Sequence, residues 1–284
     1  MKPEIYVTPE ELLMLRCCDK HNSLFRTSDS LMTGSCYSGQ KGSGSDLYGI
    51  RKFADGDNFR RINRKVTART GVLHLNEYLE ERLLSAFVVI DQSSYMFFSS
   101  TLRMKSVKAA KCGIQIISDY FNNDHRVGGE VFNEKGSRFL PLGVNEANMT
   151  EWIGSVAEYS KMLMQDQSAG EVIEPLHTVL DNLIHRGVSQ TDLYIISDFL
   201  IADTDEVIGR LEVLLSCNKL HLIQVTDLVE NNPPRGQMFT NGFSEFLFSN
   251  RKTQQAYMHS REERRNKLIR FSEQNNIQFV ETYT

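Results

Sequence analysis

Phe87-Val88-Val89-Ile90-Asp91-Gln92-Ser93-Ser94-Tyr95 closes the stretch 48–98, YGIRKFADGDNFRRINRKVTARTGVLHLNEYLEERLLSAFVVIDQSSYMFF. Its apolar, largely β-branched run empties into small polar side chains. Such a run reads as a strand buried on both faces of a parallel sheet, with its carboxyl end presenting chemistry. In open α/β sheets that edge is where ligands bind. Asp91, Ser93 and Ser94 are therefore the first candidates for a functional surface.

Further along the chain the pattern recurs. Leu193-Tyr194-Ile195-Ile196 is a second buried strand ending at Ser197-Asp198, and Leu220–Val225 a third ending at Asp227. Apolar residues at helical spacing predict helices over 104–122, 146–164, 172–185 and 203–216. Strands alternating with helices predict an α/β fold, a three-layer doubly wound sheet that is mostly parallel. In such a sheet Asp91, Asp198 and Asp227 share one edge. Segments 126–133 and 137–142 read as short strands around the turn Asn133-Glu134-Lys135-Gly136. Residues 235–249 read as a hairpin turning at Asn241-Gly242. A polar helix over 252–274 and a strand over 277–280 complete the pattern.

Upstream, Thr8-Pro9-Glu10-Glu11 has the chemistry of a helix start, and the helix is expected to run to about Arg16 or Cys18. The Gly/Ser-rich stretch 33–46 reads as a surface loop or linker: no strand precedes its glycines and no Lys-Ser/Thr follows them. The expected division is an N-terminal extension over 1–82 and an α/β domain over 83–284.

Composition narrows the function classes. The chain has 284 residues, 40% hydrophobic and 24% charged, with a net charge of −4. That is ordinary for a globular chain and gives no reason to expect a nucleic-acid partner. Its five cysteines show no CxxC or Cys/His ligand spacing, which fits a reduced compartment. No apolar run approaches the roughly 18–20 residues that span a bilayer, and the acidic N-terminus is wrong for a signal peptide. The expectation is a cytoplasmic protein. Among the seven histidines, His177 and His185 are too far apart on one helix to share a metal. Walker A, GxGxxG and GxSxG motifs are absent from the sequence.

The strand-Asp-x-Ser pattern at Asp91 and Ser93 resembles the first metal-binding segment of von Willebrand factor A-like domains. Arg51, Phe53, Gly56-Asp57, Arg60, Ile62, Ala68-Arg69 and Gly71, then Glu80-Glu81-Arg82, narrow the resemblance to one bacterial family. That is domain-of-unknown-function family fifty-eight, A-like proteins associated with MoxR ATPases. Ser197-Asp198-Phe199, Val225-Thr226-Asp227, Glu230, Pro234, Gly236 and the segment 251–284 extend it over roughly residues 40–284. Where relatives carry Asp-Trp this chain has Asn63-Arg64.

The resemblance implies a metal-ion-dependent adhesion site at the carboxyl edge, which would take Mg²⁺ on oxygen ligands. Asp91, Ser93 and Asp198 match its ligands. Tyr95 stands where a second serine belongs, and Glu171 aligns with the missing threonine; Ser94 or Ser168 are the available substitutes. The site is thus degenerate, and two readings stay open: weak Mg²⁺ binding, or no metal at all, with Asp91 and Asp198 capping helices and satisfying loop amides. The resemblance further implies a non-enzymatic adaptor working with a MoxR-type AAA+ ATPase in assembly or maturation of a client protein. Asp91, Ser93, Ser94 and Asp198 would form its partner-binding surface. A metal-dependent hydrolase on the same edge is the alternative. The basic block 51–69 reads either as an oxyanion patch or as internal anchors, with Arg51, Arg60 and Arg69 the anchors. The run Arg261-Glu262-Glu263-Arg264-Arg265 reads as a solvated helix face.

Overall fold

A computed structural model describes residues 4–17, 37–81, 84–165, 175–199, 203–231, 233–234, 238–240, 245–247 and 251–284. The chain packs as two units, Phe25–Leu83 and a larger one made of Met1–Leu24 with Leu84–Thr284. Residues 4–17 thus belong to the α/β unit rather than to the basic block that follows them.

In chain order the first elements are α1 (Pro9–Cys17), β1 (Tyr37–Lys52), α2 (Arg64–Thr70) and β2 (His74–Glu81). Next come β3 (Ser85–Asp91), α3 (Lys105–Phe121), β4 (Arg126–Asn133), β5 (Gly136–Gly143) and α4 (Glu146–Gln165). Then follow α5 (Pro175–His185), β6 (Asp192–Ser197), α6 (Thr204–Leu215), β7 (Lys219–Thr226) and the helical turn α7 (Leu228–Asn231). The short hairpin β8 (Met238–Thr240) and β9 (Glu245–Leu247), the long α8 (Arg251–Gln274) and β10 (Gln278–Tyr283) end the sequence of elements.

In the large unit a six-stranded sheet runs in the order β5-β4-β3-β6-β7-β10. All neighbours are parallel except β4 and β5, which form an antiparallel hairpin closed at Asn133 and Gly136. The fold is therefore α/β with a mostly parallel sheet. Strands β3, β6 and β7 are buried on both sides, as their apolar runs require. Phe87, Val89, Leu193, Ile195, Leu220 and Leu222 pack on α5, α6 and α8. On the opposite face α3 lies so close that a Cβ at Gly113 would sit 2.4 Å from Ile90 Cδ1, and a Cβ at Gly129 would sit 2.7 Å from the Trp152 ring of α4. Small residues at these points set the helix-to-sheet distance. None of the described helices is long and apolar enough to cross a membrane.

α1 lies against α3 and α4. Leu12 is fully buried, and the Val7 amide donates to Ser160 Oγ at 3.4 Å. Glu4 adds charge pairing, accepting from Arg103 Nε and Lys111 Nζ, each at 2.7 Å.

The smaller unit departs from the expected loop. Tyr37–Asp46, inside the Gly/Ser-rich stretch, belongs to β1 and pairs antiparallel with β2, with register shifts between Tyr37 and Lys41 and between Gly42 and Leu47. The partner strand supplies the ladder that the composition argues against, and the shifts absorb the weakly specified register. Positions 33–36 lie outside the described residues, as do Asn241-Gly242 of the expected hairpin turn. α2 is capped by Asn63, whose side-chain oxygen accepts from Val66 N at 3.0 Å, and it ends at Gly71 with φ +70°. Asn63 Nδ2 also donates to Asn76 Oδ1 at 2.8 Å, which a carboxylate at this position could not do.

Candidate functional site

Strand order reverses between β3 and β6. In an open sheet the helices leaving two such neighbours diverge, opening a crevice at their carboxyl ends. Asp91 ends β3 and Asp198 follows β6, so the topology places both there. Because Ile90 pairs with Ile196, the next residues, Asp91 and Ser197, are side by side.

Asp91 is 3% exposed. Its Oδ1 accepts from Ser93 N at 2.8 Å and its Oδ2 from Ser197 Oγ at 2.5 Å. Burial, reinforced by the neighbouring Asp198 carboxylate, pushes its carboxyl up to about 7 against those hydrogen bonds. Ser93 is buried, and its hydroxyl meets the geometric criteria for a hydrogen bond with none of the described residues. Ser94 is half-buried and its amide donates to Glu134 Oε1 at 2.6 Å, tying the loop to the β4–β5 turn. Tyr95 lies in the short 3₁₀ turn Ser94–Met96. Glu171 and Ser168 lie outside the described residues.

Asp198 is 2% exposed and is not the cap of the helix that follows it. The N-cap of α6 is Asp203, which accepts from Asp205 N at 2.9 Å. Instead Asp198 Oδ2 accepts from Lys105 Nζ at 2.9 Å, and the same ammonium donates to Glu230 Oε1 at 2.7 Å. Burial works against the charge on Lys105, but Asp198 and Glu230 outweigh it and hold the ammonium firmly protonated. Glu230 Oε2 pairs with Arg261 Nη1 at 3.2 Å and accepts from Asp227 N at 3.1 Å. Arg261 also bonds Thr226 Oγ1. A buried chain of alternating charge therefore runs Asp198–Lys105–Glu230–Arg261. Arg261, 8% exposed, is not part of a solvated face, because α8 turns it inward against β7.

Asp227 closes the edge on its far side. It accepts from Ser100 N at 2.7 Å, Ser100 Oγ at 2.5 Å, Val229 N at 2.9 Å and Thr284 Oγ1 at 2.8 Å. Burial opposes its charge, yet these donors leave its carboxyl below the ordinary range. The loop after β3, the turn after β7 and the end of β10 are thereby fastened together. Each also carries an exposed apolar side chain: Leu102, Leu228 and Tyr283 are 50%, 59% and 42% exposed.

At the opposite, amino edge, His221 stacks on Tyr194 with ring centroids 4.4 Å apart and faces Asp192 Oδ1 at 3.4 Å. Tyr120 Oη donates to Asp192 Oδ2 at 2.9 Å. His177 and His185 both lie on α5: one pairs with Glu206 at 3.7 Å, the other bonds Asp181 O at 2.7 Å. Among the described residues no three Asp, Glu, His or Cys side chains are gathered to hold a metal ion.

The basic block keeps its anchors within its own unit. Arg51 grips Asp57 with both terminal nitrogens at 2.6 Å and Glu77 through Nε at 2.8 Å, fixing the turn at Gly56, where φ is +98°. Asp57 is held down to about 2 by Arg51 and by the Ala54 amide. Arg60 and Arg69, expected as further anchors, are exposed and form no ion pair among the described residues. Arg60 leaves a 3₁₀ turn and Arg69 the last turn of α2, both pointing to water. Arg51→Ala should therefore speed amide exchange in β1 and β2, while Arg60→Ala and Arg69→Ala leave it unchanged. Equal exchange in all three variants would mean that Arg51 is not the anchor.

A model of the family described as "Protein of unknown function DUF58" matches residues 49–265. The chain belongs to that family. The match takes in the basic block, both strand-end loops of the crevice, Lys105, Glu230 and Arg261, so the whole ionic chain lies within the DUF58 region. No curated protein matches the chain. Among solved structures, similarity is found to the crystal structure of conserved hypothetical protein BatB from Bacteroides thetaiotaomicron. It is 13% identical, covers 71% of this chain and 91% of that one, and has a TM-score of 0.40.

Proposed function

We propose that this DUF58 chain is a von Willebrand factor A-like, non-enzymatic adaptor that works in the cytoplasm with a MoxR-type AAA+ ATPase on a client protein, docking through the carboxyl edge of its sheet. The observation that carries this reading is the rim formed by Leu102, Leu228 and Tyr283, exposed on segments that Asp227 fastens together. Apolar side chains gathered at one edge and bordered by polar groups are the chemistry of a protein contact. Beneath the rim the charged groups pair with each other, which suits a rigid support better than a site that must exchange protons with a substrate.

One feature favours the hydrolase reading: Ser197 Oγ lies 2.5 Å from Asp91 Oδ2, a hydroxyl beside a carboxylate. Ser197 and Ser93 are 2% and 1% exposed, so neither can meet a substrate without the loop opening. Affinity capture with the wild type should recover a MoxR-like ATPase, and Leu102→Asp/Leu228→Asp should lose it with the melting temperature unchanged. Capture unaffected by the double change, or substrate turnover that disappears in Ser93→Ala, would sink the adaptor reading.

A further inference from the structure

The donor set expected to hold a divalent cation does not fit one. Asp198 Oδ2, one of the two carboxylate oxygens that such a cation could take, is 2.9 Å from Lys105 Nζ, which also lies 2.7 Å from Glu230 Oε1. Mg²⁺ binds oxygens at roughly 2.0–2.1 Å in a near-octahedral shell and keeps several waters. An ammonium is a compact point charge that meets two carboxylates without any such shell.

We propose that Lys105 occupies, from within the chain, the cationic position at the β3–β6 crevice, and so closes that crevice to metal-bridged recognition. Charge balance supports this. Two carboxylates, Asp198 and Glu230, face two cations, Lys105 and Arg261. A divalent ion added beside them would find only the Asp91 carboxyl, already held by Ser93 N and Ser197 Oγ, left to compensate it in a desolvated space. Access supports it as well: the Lys105 side chain is 1% exposed, and the Phe98 ring lies 5.8 Å from its nitrogen. Nor can the ammonium easily withdraw. Lys105 is the first residue of α3, and Gly113 holds that helix hard against Ile90. The inference does not depend on which partner the edge binds.

Thermal melts in EDTA and in rising Mg²⁺ or Mn²⁺ test it. Ligand that binds only the native state raises the midpoint by mass action, so a filled site shows as a saturable shift. The wild type is expected to show none. Lys105→Ala removes the ammonium and leaves two carboxylates beside the vacated volume. It should melt lower in EDTA and recover several degrees with millimolar Mn²⁺, a recovery lost in Lys105→Ala/Asp198→Asn. A saturable wild-type shift abolished by Asp198→Asn would overturn the proposal, as would a folded Lys105→Ala that ignores both ions. Should Lys105→Ala not fold, Lys105→Met/Asp198→Asn, which removes one charge of each sign, is expected to fold. Failure of that variant too would show that matching the charges of Lys105 and Asp198 is not what the crevice requires, and would equally overturn the proposal.

Discussion

Trp152→Ala should lower the unfolding free energy of the α/β unit by about 3–5 kcal/mol. Trp152 is the chain's one tryptophan, is 2% exposed, and lies on Gly129 of β4. Its Nε1 donates to Arg138 O at 3.1 Å, so its loss also strips a carbonyl of the edge strand β5 of its donor. The reciprocal change is informative. A Cβ at Gly129 would stand 2.7 Å from the indole and 2.9 Å from Val88 O, and the backbone oxygen cannot step aside. Gly129→Ala should cost about 1–3 kcal/mol by overpacking. The double variant should cost less than the sum, because the indole is no longer there to be struck. Urea unfolding followed by circular dichroism measures all three. Strict additivity would show that the two residues do not share a contact surface.

Asp198→Ala should cost about 3–5 kcal/mol, since removing one partner of a buried pair leaves the other charge poorly compensated. Glu230 still holds Lys105, which puts the effect toward the lower end of that range. Asp198→Ala/Glu230→Ala removes both partners from the buried ammonium. Its cost is comparable with the whole stability of a typical domain, about 5–15 kcal/mol, and it should not accumulate as folded protein. The check is the same denaturation series, with recovery of soluble protein as the readout for the double variant. A neutral Asp198→Ala would mean that the ammonium reaches water and that the pair is not desolvated.

How much of this was legible in the sequence divides by the range of the interaction. The buried strands at Phe87–Ile90, Leu193–Ile196 and Leu220–Val225 announce themselves through local apolar runs, and they fall within β3, β6 and β7. Their order in the sheet then places Asp91 and Asp198 at one crevice. The rest depends on what lies across the fold. Nothing local marks Lys105 as buried, because its partners are 93 and 125 residues away. Arg261 sits in a run of mixed charge that any periodicity argument assigns to solvent, and only the docking of α8 turns it inward. Within the basic block, composition cannot tell Arg51 from Arg60. The difference is that β2 sets Leu75 opposite Arg51 and so brings Glu77, two residues further along, within reach of its guanidinium.

The position of α1 bears on how the chain is made. It is translated before α3 and α4, yet its seat is on both, and α4 ends at Gln165. A ribosome adding about 5–20 residues per second needs on the order of ten seconds to supply that surface. Throughout that interval Val7 and Leu12, both buried in the finished fold, are in water. Nascent α1 thus reaches its full seat only after α4 is complete, so the N-terminal segment docks late although it is made early.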